Sequence, residues 1–179
     1  MMTPFDELLE LLPPPSHPVA AGGDWSAVEA SLGLTLPRDY KNFISHYGAG
    51  VISGTILIGN PFVRPVPARA FWENWVDIYR DIAKYGTKIS YDLYPDCPGL
   101  LPCGSYADVN IINWLTDTSP DRWKLIYFSH SAGFFDLETI SLAQFLVQLL
   151  TGTTTLPSNV MSPRLAAQPK YFLPVDLEV

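Results

Sequence analysis

The chain has 179 residues, a net charge of −7, a pI near 4.7, 47% hydrophobic residues and only 16% charged ones. That length suits one domain with a packed core, and the composition is not that of a disordered chain. An acidic surface repels phosphate, which argues against direct nucleic-acid binding and against anionic membranes, and it attracts a basic protein partner.

Thr3-Pro4-Phe5-Asp6 reads as a helix start: a threonine cap, a proline in the first turn and an acid near the positive end of the dipole. Phe5, Leu8, Leu9 and Leu12 form an apolar stripe that Pro13-Pro14-Pro15 stops. Asp6, Glu7 and Glu10, with no basic residue before them, do not suit a signal peptide. No apolar run reaches the ~18 residues of a membrane span, so the expected compartment is the cytosol. Residues 13–23 are rich in proline and glycine and read as a linker.

Asp24 can cap a second helix with Trp25, Val28 and Leu32 on one face, ended by Gly33. A third helix follows in LGLTLPRDYKNFISHYGAG. Pro37 suits its first turn, and Asp39 complements its dipole. Leu36, Tyr40, Phe43, Ile44 and Tyr47 share one stripe, and Gly48 is expected to close the helix in a left-handed conformation. Val51 to Ile58 is β-rich and broken by Gly54. Residues 60–67 read as an edge strand or a loop.

Ala68 to Lys84 reads as a longer helix with Phe71, Trp72, Trp75, Ile78, Tyr79 and Ile82 on a broad apolar face. Residues 87–99 form a loop rich in Tyr, Asp and Pro. Leu100 to Gly104 reads as a short strand and turn, and strands follow at 108–116, 123–129 and 133–137. Ser141 caps a last helix with Leu142, Phe145, Leu146, Leu149 and Leu150 inside. The tail from 153 to 179 either packs along the domain or hangs free. Helices, then strands, then a helix predict a single α+β domain: a mostly antiparallel sheet with helices packed on one side.

Candidate chemistry is sparse. His17, His46 and His130 do not share metal-ligand spacing on one element, so no metal or other cofactor is expected. Cys97 and Cys103 fit neither a zinc knuckle nor a redox pair, and read as free thiols. A nucleophile–base pair could be drawn from Cys103 or Ser129 with His130, but nothing in the spacing requires it. No G-x-S-x-G, P-loop or G-x-G-x-x-G is present, so an enzyme is not expected. Trp25, Trp72 and Trp75 read as core, and Trp114 and Trp123 as core or as exposed anchors.

The charge pattern says more. From Ile89 to Asp121 there are five acids, Asp92, Asp96, Asp108, Asp117 and Asp121, and no Lys or Arg. They make either a solvated face or a docking surface for a basic protein, which would raise the association rate and select the partner.

The stretch from Leu32 to Gly50, preceded by Trp25 and Val28, resembles the signature of the SUKH superfamily, the bacterial immunity proteins and fungal Smi/Knr cell-wall-assembly regulators. The matching residues are Trp25 and Val28, then Leu32-Gly33, Leu36-Pro37, Asp39, Tyr40, Lys41, Phe43-Ile44 and Gly48. Leu100 to Gly104, Asp108 to Trp114 and Ser141 to Leu150 resemble later elements of the family more loosely. The resemblance covers residues 24–152 and leaves 1–23, a helix and linker, and 153–179, a proline-rich tail, outside. It implies a non-enzymatic cytoplasmic protein that binds and neutralises a toxin domain, often a basic nuclease. It also leaves open a fungal-type regulatory or scaffold module. The motif itself is implied to be structural.

Overall fold

A computed structural model describes residues 2–63 and 68–175. Helix α1 spans Pro4–Leu11. Thr3 and Asp6 form a reciprocal capping box at its start, with the Asp6 carboxylate also accepting from the Thr3 amide at 2.8 Å. Helix α2 is Trp25–Leu32, capped by Asp24 and closed by Gly33 at φ +70. Helix α3 is Arg38–Tyr47, with Pro37 as its N-cap. Strands β1 (Gly50–Ile52) and β2 (Ile56–Ile58) form a hairpin. Helix α4 (Ala68–Lys84) precedes β3 (Leu100–Tyr106), β4 (Asn110–Leu115), β5 (Lys124–Ser129) and β6 (Gly133–Asp136). Helix α5 (Leu142–Thr151) leads to the short α6 (Arg164–Ala167) and β7 (Phe172–Pro174). The seven strands form one antiparallel sheet in the order β6-β5-β4-β3-β2-β1-β7.

The α+β expectation holds. The main core joins α1, α2, α3 and α5 to one face of the sheet, through Leu101, Cys103, Ile112, Trp114, Leu125 and Tyr127. Side chains alternate along a strand, so Leu100, Ile111, Asn113, Ile126 and Phe128 point to the other face. There α4 supplies Tyr79, which bonds Asn113 at 2.9 Å and meets Phe128 edge-on. The helices therefore divide: α1, α2, α3, α5 and, through Leu165, α6 join the main core, while α4 lies against the other face and also reaches the main core through Trp72 and Val76. Trp114 and Trp123 are buried core residues, whereas Trp25 and Trp75 are only partly buried.

Both flanking segments belong to the body of the domain. Leu8 and Leu12 are fully buried, and Leu156, Val160, Met161 and Leu165 in the tail are buried too. The segment read as a linker is pinned by Val19, which bridges to Gly48 and accepts from the Ala49 amide at 2.7 Å. This changes the reason for Gly48. Its φ +69 and ψ −143 lie outside the left-handed helical region, in a region open essentially to glycine, and a Cβ there would sit 2.2 Å from the Val19 carbonyl.

The reading of residues 100–104 as a short strand also changes. Strand β3 runs on to Tyr106 because a bulge between Pro102 and Gly104 absorbs the irregularity. Pro102 lies beyond the end of β2, and the Trp72 indole donates to its carbonyl at 3.1 Å. Residues 60–63 form a turn, and the rest of the expected edge strand or loop, 64–67, lies outside the described residues.

Strand β7 covers the outer edge of β1. The Ser53 amide donates to the Tyr171 carbonyl and the Val175 amide to the Ala49 carbonyl, so Tyr171, Leu173 and Val175 face β1 with their backbones. Phe172 and Pro174 face outward, and Pro174 has no N–H to offer.

Candidate functional site

The family-like motif is engaged in holding the domain together. The Tyr40 hydroxyl donates to the Gly59 carbonyl at 2.7 Å, and its ring meets Trp114 edge-on at 5.0 Å. The Tyr47 hydroxyl donates to Leu12 at 2.6 Å, and its ring stacks on Phe43. Lys41 pairs with Glu29 at 2.7 Å, while the Leu36 amide donates to that same carboxylate, fixing the α2–α3 corner. Leu32, Leu36, Pro37 and Ile44 are buried, and Trp25 packs on Tyr40 and Phe62.

Asp39 has a role in this frame. It accepts from the Ala143 amide at 3.1 Å, so it joins Ser141 in capping α5 from a different helix. Burial pushes its carboxyl up from the ordinary value, against the pull of the Ala143, Tyr40 and Leu142 amides. Asp121 does the same for α3, where Pro37 has no capping side chain. It accepts from the Arg38 amide at 2.8 Å and from the Arg38 guanidinium at 2.5 Å. Desolvation acts to raise Asp121, but the Arg38 hydrogen bonds and charge outweigh it and hold the carboxyl low. A cavity of about 310 Å³ lies between these two capped helix ends, lined also by Trp114 and Trp123.

The five acids of the 89–121 window are all exposed, but they do not form one patch. The β3–β4 turn carries Asp108 at one end of the hairpin. Gly99 and Thr116, bonded through the Thr116 amide at 2.9 Å, mark the other end, about 20 Å away for strands of this length. Asp92, Asp96, Asp117 and Asp121 belong to that second end. Of these, Asp121 is committed to Arg38, whereas Asp92, Asp96 and Asp117 have no ion-pair partner among the described residues.

This acidic end is held firmly from below. The buried Tyr94 hydroxyl donates to the Leu32 carbonyl at 2.8 Å, tying the 92–98 loop to the motif. The Leu100 amide bonds to the Asp92 carbonyl, and the Asp96 amide to Leu93. A Cβ on Gly99 would lie 2.3 Å from the Asp96 carbonyl, so only glycine permits this return of the chain. The buried Trp123 indole donates to the Asp117 carbonyl at 2.6 Å. Beside Asp117 lies a polar hollow of about 500 Å³ that includes Pro98, Thr116, Ser119 and Arg122. Of the three acids only Asp117 lines this hollow, together with the cations Arg122 and Lys124, while Asp92 and Asp96 lie on the neighbouring loop, and all three acids are exposed to basic side chains of a protein partner.

The remaining candidate residues are dispersed. Cys103 is buried in the main core, where burial pushes its thiol far up, and Cys97 is exposed and free. His130 is exposed in the β5–β6 turn, and Ser129 Oγ pairs with Ser131 at 3.2 Å. His17 is exposed, and His46 bonds the Asn42 carbonyl at the edge of Phe5. No group of three potential metal ligands occurs among the described residues. Sequence reasoning did not anticipate the capping roles of Asp39 and Asp121, because the amides they serve are 104 and 83 residues away.

Comparison with known proteins gives one match. A SUKH family model described as SMI1-KNR4 cell-wall matches residues 23–146, more than half of the chain. No curated protein and no solved structure matches.

Proposed function

Because the chain belongs to the SMI1-KNR4 family of the SUKH superfamily, we propose that it is a non-enzymatic immunity protein that neutralises a basic toxin domain. The observation that carries the reading is the acidic end: Asp92, Asp96 and Asp117 are exposed, close together in the fold and left without cationic partners among the described residues. A nuclease-type toxin grips phosphate with Lys and Arg, and exposed carboxylates without ion-pair partners compete for those groups. Such an inhibitor acts in the cytoplasm and touches neither nucleic acid nor membrane itself.

The test is calorimetric titration with the basic C-terminal domain of a large secreted protein encoded in the adjacent gene. Binding of the wild type is expected to weaken with salt. Changing Asp92, Asp96 and Asp117 together to Asn is expected to lower affinity by about tenfold or more and to flatten the salt dependence. Asp108→Asn, at the other end of the sheet, serves as the control. Unchanged affinity in the triple variant would overturn the electrostatic reading.

A regulatory or scaffold module is the second reading, drawn from the cell-wall wording of the matched family model. Binding to a cellular partner with no salt dependence would favour it.

A further inference from the structure

On the second face of the sheet, α4 leaves part of the apolar surface open. Trp75, Ile78 and Ile82 from the helix face Ile111 of β4 and Val109 of the β3–β4 turn across a groove of about 320 Å³, with Asp108 at its rim. Ile78 is 43% exposed and Val109 57% exposed, in a domain where few large apolar side chains are exposed. A groove walled by a half-buried tryptophan and rimmed by polar groups is the kind of surface that anchors a partner.

The turn that makes one wall is fixed in an unfavourable shape. Ala107 and Asp108 have φ +51 and +61, where an L-residue without special reason is rarely found. The Ala107 amide donates to Thr55 at 2.8 Å, and Asn110 ties the turn to the Tyr106 carbonyl and to the His130 amide. The exposed Val109 and Asp108 are thus held in place before any partner arrives, which lowers the ordering cost of binding.

We infer that this groove is a second docking site, separate from the acidic end, for a protein segment that places a large aliphatic or aromatic side chain beside a Lys or Arg. The apolar floor takes the anchor, and Asp108, which has no ion-pair partner among the described residues, takes the cation. A second copy of the chain is a poor occupant. Each copy carries −7, and a self-paired groove would bring the Asp108 of both copies, neither with an ion-pair partner among the described residues, to one interface. The inference does not rest on the toxin-binding reading.

The probe is the peptide Ac-Gly-Leu-Arg-Phe-Lys-Gly-NH2, titrated into the full-length ¹⁵N-labelled protein and followed by NMR. Two control peptides replace the basic residues with Glu, or the Leu and Phe with Gly. The first peptide alone is expected to shift the amides of Ile78, Val109, Ile111 and His130. Ile78→Asp and Asp108→Lys, both at exposed positions, are expected to weaken it by about tenfold, as for loss of an anchor residue. The Asn variant of Asp92, Asp96 and Asp117 is expected to bind it like the wild type, which separates this site from the acidic end. Equal shifts from all three peptides, shifts confined to the acidic end, or unchanged affinity in both groove variants would overturn the inference. So would a wild-type dimer in sedimentation that Ile78→Asp disperses, because the groove would then belong to a second copy.

Discussion

The two faces of the sheet are built on different terms. On the main face, α1, α2, α3 and α5 enclose a continuous apolar core, and the hydroxyls of Tyr40, Tyr47 and Tyr94 each reach a backbone carbonyl. On the other face, α4 and the loop residues Ile89, Tyr91 and Leu93 cover a small cluster of Tyr79, Leu100, Ile111, Ile126 and Phe128. One face therefore carries most of the burial that stabilises the fold, and the other keeps apolar surface in reserve. Antiparallel sheets commonly leave one face to water; here that face is half covered, and its uncovered part is a groove rather than a polar surface.

The strongest challenge to this contrast is a large deletion on the main face. Trp114 is enclosed by Tyr40 and Trp123, so Trp114→Ala is expected to cost about 3–5 kcal/mol in denaturant titration, the usual loss for a buried aromatic. On the other face, Tyr79→Phe removes the donor to the Asn113 side-chain oxygen, and a loss of about 1–2 kcal/mol is expected in the same assay. Equal losses for the two variants would mean that the second face is as structural as the first.

The smallest effect lies at the junction of α3 and α5 and is read from pH. Burial raises Asp39 above the ordinary aspartate value of 3.8, so its protonated form is favoured in the fold. Its contribution is present at low pH and is lost as pH rises through the raised value. Asp121 is lowered, so its contribution is present above 3.8 and is lost as pH falls through the lowered value. Denaturation midpoints taken between about pH 3 and about pH 6 are expected to decline less with rising pH in Asp39→Asn, and to drop less at the acid end in Asp121→Asn. Identical profiles in wild type and both variants would remove the two carboxylates from the account.

Local pattern made α3 and the central strands readable. Tyr40, Phe43, Ile44 and Tyr47 repeat at helical spacing, and 124–129 is dense in β-forming side chains. The side of the sheet taken by α4 was not readable, because an apolar stripe shows that a helix packs and not against which face. Strand β7 is three residues inside a proline-rich tail, too short for any periodicity. Whether the acidic window makes one surface was not readable, because closeness in sequence does not put loops on one side of a fold. An antiparallel hairpin sends its turn and its two ends in opposite directions, so Asp108 parts from Asp92, Asp96 and Asp117. Asp121 looked free until Arg38, distant in sequence, came to lie against it.

Pro174 has a consequence for assembly. Along the described part of β7, the outer edge offers the Phe172 amide and two carbonyls, while the position of the second donor is a proline nitrogen. At the opposite edge, the amides of Phe134 and Asp136 on β6 face outward under the same alternation. Head-to-tail growth of sheets into a fibre requires every copy to be adhesive at both borders. Here one border keeps both of its donors and the other, along its described part, lacks one of two, so pairing of two copies through β6 is favoured over head-to-tail growth.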